Sequence, residues 1–229
     1  QYYGAGQHER IGPAVWQGVY FALASGCLGA ALAPLGNAAF DAVGHAAQVR
    51  EYEKVYFSII CYGMPVSLVA VALSGFFSGR GSNVTLMAIQ LAGLGLNVVL
   101  DYGMIWGRWG LPELGVAGAA WATVASQGVV SILLAGRFLR VRHRRRYATW
   151  RGRAYNAEMM RRLIRFGLPG GLRFSTEVTA WTLFLVFVGR IGTPELASTT
   201  IAWRINGAAF FPIIGLSEAI RTLVGQAQS

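Results

Sequence analysis

Long apolar stretches separated by short polar turns dominate the chain. Four contain no charged residue, namely 11–40, 55–79, 81–100 and 114–136, and two more, near 163–189 and 196–220, contain only a few. A helix that crosses a lipid bilayer needs about 20 mostly apolar residues. The pattern therefore predicts six transmembrane helices, at about 11–36, 55–79, 83–107, 114–136, 163–189 and 196–222.

The composition favours a membrane protein over a soluble one. Of the 229 residues, 54% are hydrophobic and 13% are charged, whereas a soluble domain carries about 25% charged residues. The deficit extends over the whole length. The predicted fold class is therefore an all-α integral membrane protein, a polytopic helical bundle with about six transmembrane helices in this chain.

Positive charge is concentrated between the fourth and fifth apolar stretches. The formal net charge is +10, and residues 137–165 hold eleven arginines with Glu158 as their only acid. Because cytoplasmic loops carry the excess of Lys and Arg, we predict that this segment is cytoplasmic. Alternation of the spans then places both ends of the chain in the cytoplasm, with 14 basic residues on the inner side of an inner or plasma membrane and four on the outer side.

The arginines also divide the chain and leave two interpretations open. We predict a first part at 1–136 with four transmembrane helices, an arginine-rich cytoplasmic linker at 137–162 and a second part at 163–229 with two helices. The linker is either a topology signal, which we favour, or a patch for anionic lipid headgroups. Nucleic acid is not an expected partner, because the basic residues lie between apolar spans.

Polar side chains inside the third and fourth apolar stretches indicate an ion site. Asn97 and Asp101 lie one helical turn apart, and Thr123 lies in the next span. A carboxylate inside a bilayer is costly unless it faces a partner or a water-filled path. Carboxylate, amide and hydroxyl oxygens suit a hard cation, and a carboxylate in a low-dielectric pocket suits a proton carrier. We predict a site for Na⁺ or H⁺ at these residues; the alternative is that Asn97 and Asp101 only form hydrogen bonds between helices.

A second carboxylate lies in the middle of the fifth apolar stretch. Glu177 follows Arg173 by four residues, a spacing that brings two side chains onto one helix face. One interpretation is a structural salt bridge between them. The interpretation we favour is a protonatable or cation-binding site in a central cavity.

Small residues and prolines are frequent within the spans. Glycines such as Gly26, Gly93, Gly95 and Gly118 let helix backbones approach closely. Prolines such as Pro34 and Pro65 bend helices where neighbouring residues compensate for the lost hydrogen bond. Closely packed, bent helices suit a transporter but also occur in static membrane bundles.

Enzyme motifs are missing from the sequence. It contains no G-x-S-x-G elbow, no HExxH and no metal-spaced set of Cys and His. We therefore expect no enzyme activity and no cofactor apart from a coupling ion. The chain begins at Gln1 without Met or a signal peptide and ends at Ser229 just past an apolar stretch, so we expect it to be part of a longer protein.

Several short stretches follow one another in the order seen in one transporter family. They are Tyr3–Arg10, Gly75–Gly81, Leu96–Tyr102, Gly115–Thr123, Gly167–Pro169 followed by Glu177, and Leu223–Gln226. In these stretches, which extend over nearly the whole chain, it resembles the MATE (multidrug and toxic compound extrusion) antiporters of the bacterial NorM-like branch.

The resemblance implies a twelve-helix transporter made of two six-helix lobes, of which this chain covers about helices three to eight. Asn97, Asp101 and Thr123 occupy the positions of a cation or proton site in the first lobe, and Glu177 matches an acid of the second lobe. The implied activity is export of amphipathic or cationic drugs by a monomeric transporter in exchange for Na⁺ or H⁺, by alternating access.

Two rival functions remain open. A lipid-linked oligosaccharide flippase of the same superfamily would prefer a cationic cavity, which Arg173 and Arg204 favour slightly. The other rival is an inert or structural membrane fragment that cannot cycle.

Overall fold

The computed structural model describes residues 2–43 and 46–227, and this part of the chain is helical, without strands. The helices are α1 (Ile11–Ala31), α2 (Ala33–Val43), α3 (Ala47–Ser78), α4 (Asn83–Ile105), α5 (Gly115–Phe138), α6 (Val141–Arg146), α7 (Ala157–Ile191) and α8 (Thr193–Ala227), with short 3-10 helices at His8–Arg10 and Arg151–Arg153.

Six helical stretches are long and apolar enough to cross a membrane. They are His8–Asp41, Ala47–Ser78, Asn83–Ile105, Gly115–Phe138, Ala157–Ile191 and Pro194–Val224. The predicted fold class, an all-α polytopic bundle, is confirmed.

Two helices begin earlier than the apolar pattern predicts. α3 starts before residue 55 and α7 before residue 163, because polar residues continue a helix when their side chains find partners. Lys54 Nζ lies 2.6 Å from Asp41 Oδ1, and Arg162 lies 2.9 Å from Glu158 at i,i+4 spacing. The apolar pattern therefore predicts which part of a helix lies in lipid, and it does not predict where the helix begins.

The first predicted span is interrupted near its end. α1 stops at Ala31 and α2 begins at Ala33, with Leu32 between them. Pro34 has no N–H to donate to the carbonyl of Ala30, and its ring crowds that carbonyl. The backbone therefore tightens at this point, and the Leu35 N–H bonds to the Leu32 carbonyl instead.

The described residues up to Asn156 form one compact unit, and those from Ala157 onward form another. In the first unit α1 packs on α3, α3 on α5, and α5 on α4. Its core lies at the end that carries the arginine-rich residues and is built from Ile11, Val19, Ala70, Leu73, Phe76, Phe77, Ile89, Val130, Leu134, Phe138 and Tyr147.

Two glycines mark the closest helix approaches in the first unit. A Cβ on Gly26 of α1 would meet the Pro65 backbone of α3, at 2.6 Å from the Pro65 nitrogen. A Cβ on Gly118 of α5 would lie 2.5 Å from the Met104 carbonyl oxygen of α4. Backbone lies against backbone at both points, so only glycine fits there.

The second unit is a pair of helices, α7 and α8, in contact with each other. The Trp181 and Trp203 rings stack across the pair with centroids 3.8 Å apart. No described residue of α7 is buried. Residues 163–189 and 196–222, predicted as spans, lie within these helices.

Candidate functional site

The polar pair predicted in the third span sits on α4 with unmet hydrogen-bonding capacity. Both Asn97 and Asp101 are partly buried. Asn97 Nδ2 and Asp101 Oδ1 are shielded from solvent, and neither has a hydrogen-bond partner within the described part of the chain. Because buried polar groups are nearly always paired, each atom lacks a partner of its own kind: Asp101 Oδ1 can take a proton, a cation or a hydrogen bond from water, whereas the Asn97 amide N–H can only donate, for example to water.

α4, which carries Asn97 and Asp101, packs against α5, which carries Thr123. Gly93 of α4 lies against the Val130 side chain, and Gly118 of α5 against Met104, so the helices run antiparallel. Residues 97 and 101 lie between these two contact points on α4. Thr123 comes seven residues before Val130, which puts it on the same face of α5.

Thr123 keeps its oxygen available to a ligand. The Thr123 hydroxyl donates to the Ala119 carbonyl at 3.0 Å, so its proton is used within α5 and its lone pairs remain as acceptors. One carboxylate, one amide and one hydroxyl are therefore present on two helices that pack against each other. No three His, Cys, Asp or Glu side chains group together in the described residues, so the site offers a single negative charge with neutral oxygens. This donor set fits Na⁺, or a proton on Asp101.

The Glu177 carboxylate is paired within its own helix. Arg173 Nε donates to Glu177 Oε1 at 2.8 Å, and the two side chains are 81% and 58% exposed in the order Arg173, Glu177. The salt bridge proposed as one interpretation of this spacing is thus formed. The pair lies within α7 at i,i+4 spacing.

The docking of residues 147–156 on α1 was missed by sequence reasoning, which assigned them to a linker. Trp16 Nε1 donates to the Thr149 carbonyl at 2.7 Å, and the Gln17 side chain donates to the Ala154 carbonyl at 3.1 Å. Gln17 is only 1% exposed. The sequence did contain a signal for this contact, because Gln17, Trp16 and Tyr20 carry polar groups near the start of an apolar span. It did not show which residues those polar groups bind.

Just before residues 147–156, His143 and Arg80 join α6 to the turn between α3 and α4. His143 Nδ1 lies 2.8 Å from the Arg137 carbonyl oxygen, and His143 Nε2 lies 3.5 Å from Arg80 in the α3–α4 turn. The Arg80 guanidinium stacks 4.4 Å above Phe76 and 4.6 Å from the Tyr147 ring. With the proton on Nδ1, the imidazole donates to the carbonyl and accepts from the guanidinium through Nε2. This arrangement needs neutral His143.

Acidification is expected to loosen this contact. Burial lowers the pKa of His143 below its usual value of 6.5, and the charges of Arg80, Arg140 and Arg142 act in the same direction, against the hydrogen bond to Arg137. When residues 141–153 are undocked, His143 becomes protonated as the pH falls below about 6.5. The docked state takes up the proton only at a lower pH, so docking weakens over the range between the two pKa values. Hydrogen-exchange protection of residues 141–153, corrected for intrinsic rates, should fall as the pH is lowered from neutral through about 6.5.

The control for this experiment is a variant that cannot titrate. His143→Gln should show protection that no longer changes with pH, whereas His8→Gln, which alters a neighbour in edge-to-face contact with Tyr147, should keep the response. Equal pH dependence in wild type and His143→Gln would contradict the assignment.

Six apolar helical stretches long enough to cross a membrane indicate a multi-pass membrane protein. Residues 1–103 and 169–228 match the family model MatE, and the chain belongs to that family. The family predicted from the sequence is confirmed.

Relatives and a solved structure agree with this assignment. The chain is 30% identical to "Probable multidrug resistance protein NorM" of Thermotoga maritima over 97% of its length and 48% of that protein. It is 32% identical to the protein of the same name from Pseudomonas aeruginosa, over 97% and 45% respectively. The chain thus spans about half the length of these curated relatives.

The solved structure is that of a MOP superfamily transporter from Pyrococcus furiosus Vc1. It is 25% identical and aligns with a TM-score of 0.78 over 98% of this chain and 53% of that one. That transporter is described as having a binding pocket of reverse polarity, which suggests a different function for it.

Proposed function

We propose that the complete protein to which this chain belongs is a secondary active multidrug efflux transporter. It exports amphipathic, cationic compounds in exchange for Na⁺ or H⁺ by alternating access, and it works as a monomer. The observation that carries the proposal is the buried Asp101 oxygen, which has no hydrogen-bond partner in the described part of the chain, in a chain that resembles NorM proteins over nearly all its length.

In this proposal the α4–α5 site is the first coupling site. Asp101 supplies the charge, or takes up the proton, and the oxygens of Asn97 and Thr123 complete the coordination of Na⁺. A coupling ion drives transport only when it binds one facing state more tightly than the other. Sites on the facing sides of two helices suit this requirement, because a small shift of α4 against α5 changes every ligand distance at once.

Glu177 is the acid proposed for the second lobe. Its carboxylate exchanges Arg173 for a proton or cation during the cycle. The proposed orientation follows from the charges, with residues 137–162 and both ends of the chain in the cytoplasm.

Efflux from vesicles tests the proposal. The complete protein is reconstituted with a fluorescent organic cation inside, and an inward Na⁺ or H⁺ gradient is imposed separately. We expect efflux that follows one of the two gradients and stops when that gradient is dissipated. Absence of gradient-driven efflux of any tested cation from correctly folded protein would overturn the proposal.

Variants of the α7 pair separate coupling from structure. Glu177→Gln should lower gradient-driven efflux by at least about fivefold, the lower end of typical coupling between sites. Arg173→Gln should leave efflux near wild type. Efflux restored in the double variant Arg173→Gln/Glu177→Gln would show that Glu177 serves only to balance Arg173.

A flippase of the same superfamily is the second candidate, and Arg204 favours it. This cation lies in an apolar stretch of α8 and is exposed within its unit. Arg173 gives no such support, since Glu177 neutralises it. Translocation of a labelled polyprenyl-linked sugar without efflux of organic cations would select this function.

A further inference from the structure

A basic cavity lies between the 3-10 turn before α1 and the residues that follow α6. It has a volume of about 620 Å³, and its lining includes Arg144, Arg145, Arg151, Trp150 and Glu9. Three guanidinium groups face one carboxylate in this lining, so the cavity carries an excess of two positive charges at neutral pH. A ligand of this cavity is therefore expected to be an anion.

One of the three arginines is held in place before any ligand arrives. Arg144 Nε donates to the Leu139 carbonyl at 2.7 Å, and its guanidinium lies 4.8 Å from the centre of the Trp150 ring. Arg153 packs 4.9 Å from the same ring, so two guanidinium groups contact Trp150. With Nε used by the backbone, the terminal amino groups of Arg144 remain as a fork of donors, which matches phosphate oxygens.

The backbone around the cavity is also fastened to the first membrane helix. Gly152 lies against Pro13 of α1, the Gly152 N–H donates to the Ala148 carbonyl at 2.7 Å, and Trp16 binds Thr149. The arginines are thus presented on a supported turn. Less conformational entropy is lost on binding when a site is ordered beforehand.

The position of the cavity identifies the ligand's source. Glu9 and Pro13 bracket Ile11, where an apolar stretch without charge begins and continues to residue 40, so the cavity lies at the level where α1 enters the bilayer. Trp150 is 44% exposed beside it, and Trp is enriched at membrane interfaces. Acidic headgroups of the cytoplasmic leaflet are concentrated at this level.

We propose that this cavity binds the phosphate of an acidic phospholipid headgroup from the inner leaflet, with Arg144, Arg145 and Arg151 as its donors and Trp150 against the glycerol region. The proposal rests on the proposed orientation of the chain and not on transport. Bound lipid ties the arginine-rich residues to the membrane beside α1.

Lipid retention by the complete protein tests this site. Native mass spectrometry is performed on protein exchanged into mixtures of phosphatidylglycerol and phosphatidylcholine. Wild type should retain phosphatidylglycerol preferentially. Each arginine near a membrane surface contributes about 1 kcal/mol, or about fivefold in binding, so Arg145→Gln/Arg151→Gln should lower the preference by more than tenfold. These two positions leave the Arg144 contacts to Leu139 and Trp150 intact.

The matched control removes the same charge outside the cavity. Arg142→Gln/Arg165→Gln alters exposed arginines on α6 and α7 that do not line it, and it should retain the wild-type preference. An equal loss of the phosphatidylglycerol preference in both double variants would indicate diffuse electrostatic attraction and not a defined site, and it would overturn the proposal. Competition by soluble glycerol phosphate as strong as that by the lipid would also overturn it, in favour of a site for a free phosphate anion. Because no transport is measured, failure here is distinct from failure of the efflux proposal.

Discussion

Replacing Asp101 by Asn in the complete protein is expected to remove gradient-driven efflux while leaving expression and membrane insertion unchanged. Asn keeps the shape of the side chain but takes away the charge that attracts a cation and the group that accepts a proton. Coupling energies between sites are typically about 1–3 kcal/mol, so ion-driven transport should fall by about fivefold to 150-fold. The measurement is initial efflux rate under the Na⁺ or H⁺ gradient that drives wild type.

A second carboxylate provides the control for Asp101. Glu113 lies in the α4–α5 loop and is exposed, so Glu113→Gln removes the same charge away from the unpartnered atoms and should transport normally. Because Asp101 Oδ1 has no partner in the described residues, Asp101→Asn should not destabilise the fold, and thermal unfolding in detergent checks this. Wild-type efflux by Asp101→Asn at normal expression would contradict the coupling role and leave Asp101 as a polar residue between helices.

Adding a methyl group at Gly26 is expected to have the largest effect on stability. The new Cβ would fall on the Pro65 backbone, which cannot move without separating α1 from α3. Overpacking costs about 1–3 kcal/mol, so Gly26→Ala should lower the unfolding temperature of the complete protein and the yield of folded protein in detergent.

Gly75→Ala is the matched comparison for Gly26→Ala. Gly75 lies on α3, and a Cβ there would meet nothing within 4 Å. Alanine is favoured over glycine in helices by about 1 kcal/mol, so this variant should unfold at the wild-type temperature or above it. Equal unfolding temperatures for the two variants would mean that α1 and α3 are not in backbone contact at Gly26.

The apolar pattern predicted the membrane spans, but it predicted the helix boundaries less accurately where helices extend beyond the membrane. Residues 83–107 and 114–136 differ little from α4 and α5, because the turn between them is marked in the sequence by Gly107, Gly110 and Gly115. Residues 50–54 were assigned to a loop, yet they are helical. Their partner Asp41 lies on the preceding helix, and an apolar pattern does not register such a pairing.

For the polar residues of the candidate ion site, too, the sequence predicted one part and the structure supplied the other. The one-turn spacing of Asn97 and Asp101 is a local property and was predicted from the sequence. The absence of partners for their buried atoms within the described residues depends on what α5 presents opposite them. Their role in coupling, like those of Thr123 and Glu177, stays a prediction until efflux is measured.

By itself the sequence determined the class of the molecule, its six apolar helices, its family and the register of its charged and polar residues. Each of these depends on neighbours within a few helical turns, where spacing and composition carry the information. Only the tertiary structure decided that Gly26 meets Pro65 while Gly95 faces open space. It alone showed that Trp16 binds a carbonyl 133 residues away and that arginines 144, 145 and 151 surround one cavity. These contacts join segments far apart in the chain, and their geometry is set by how whole helices pack.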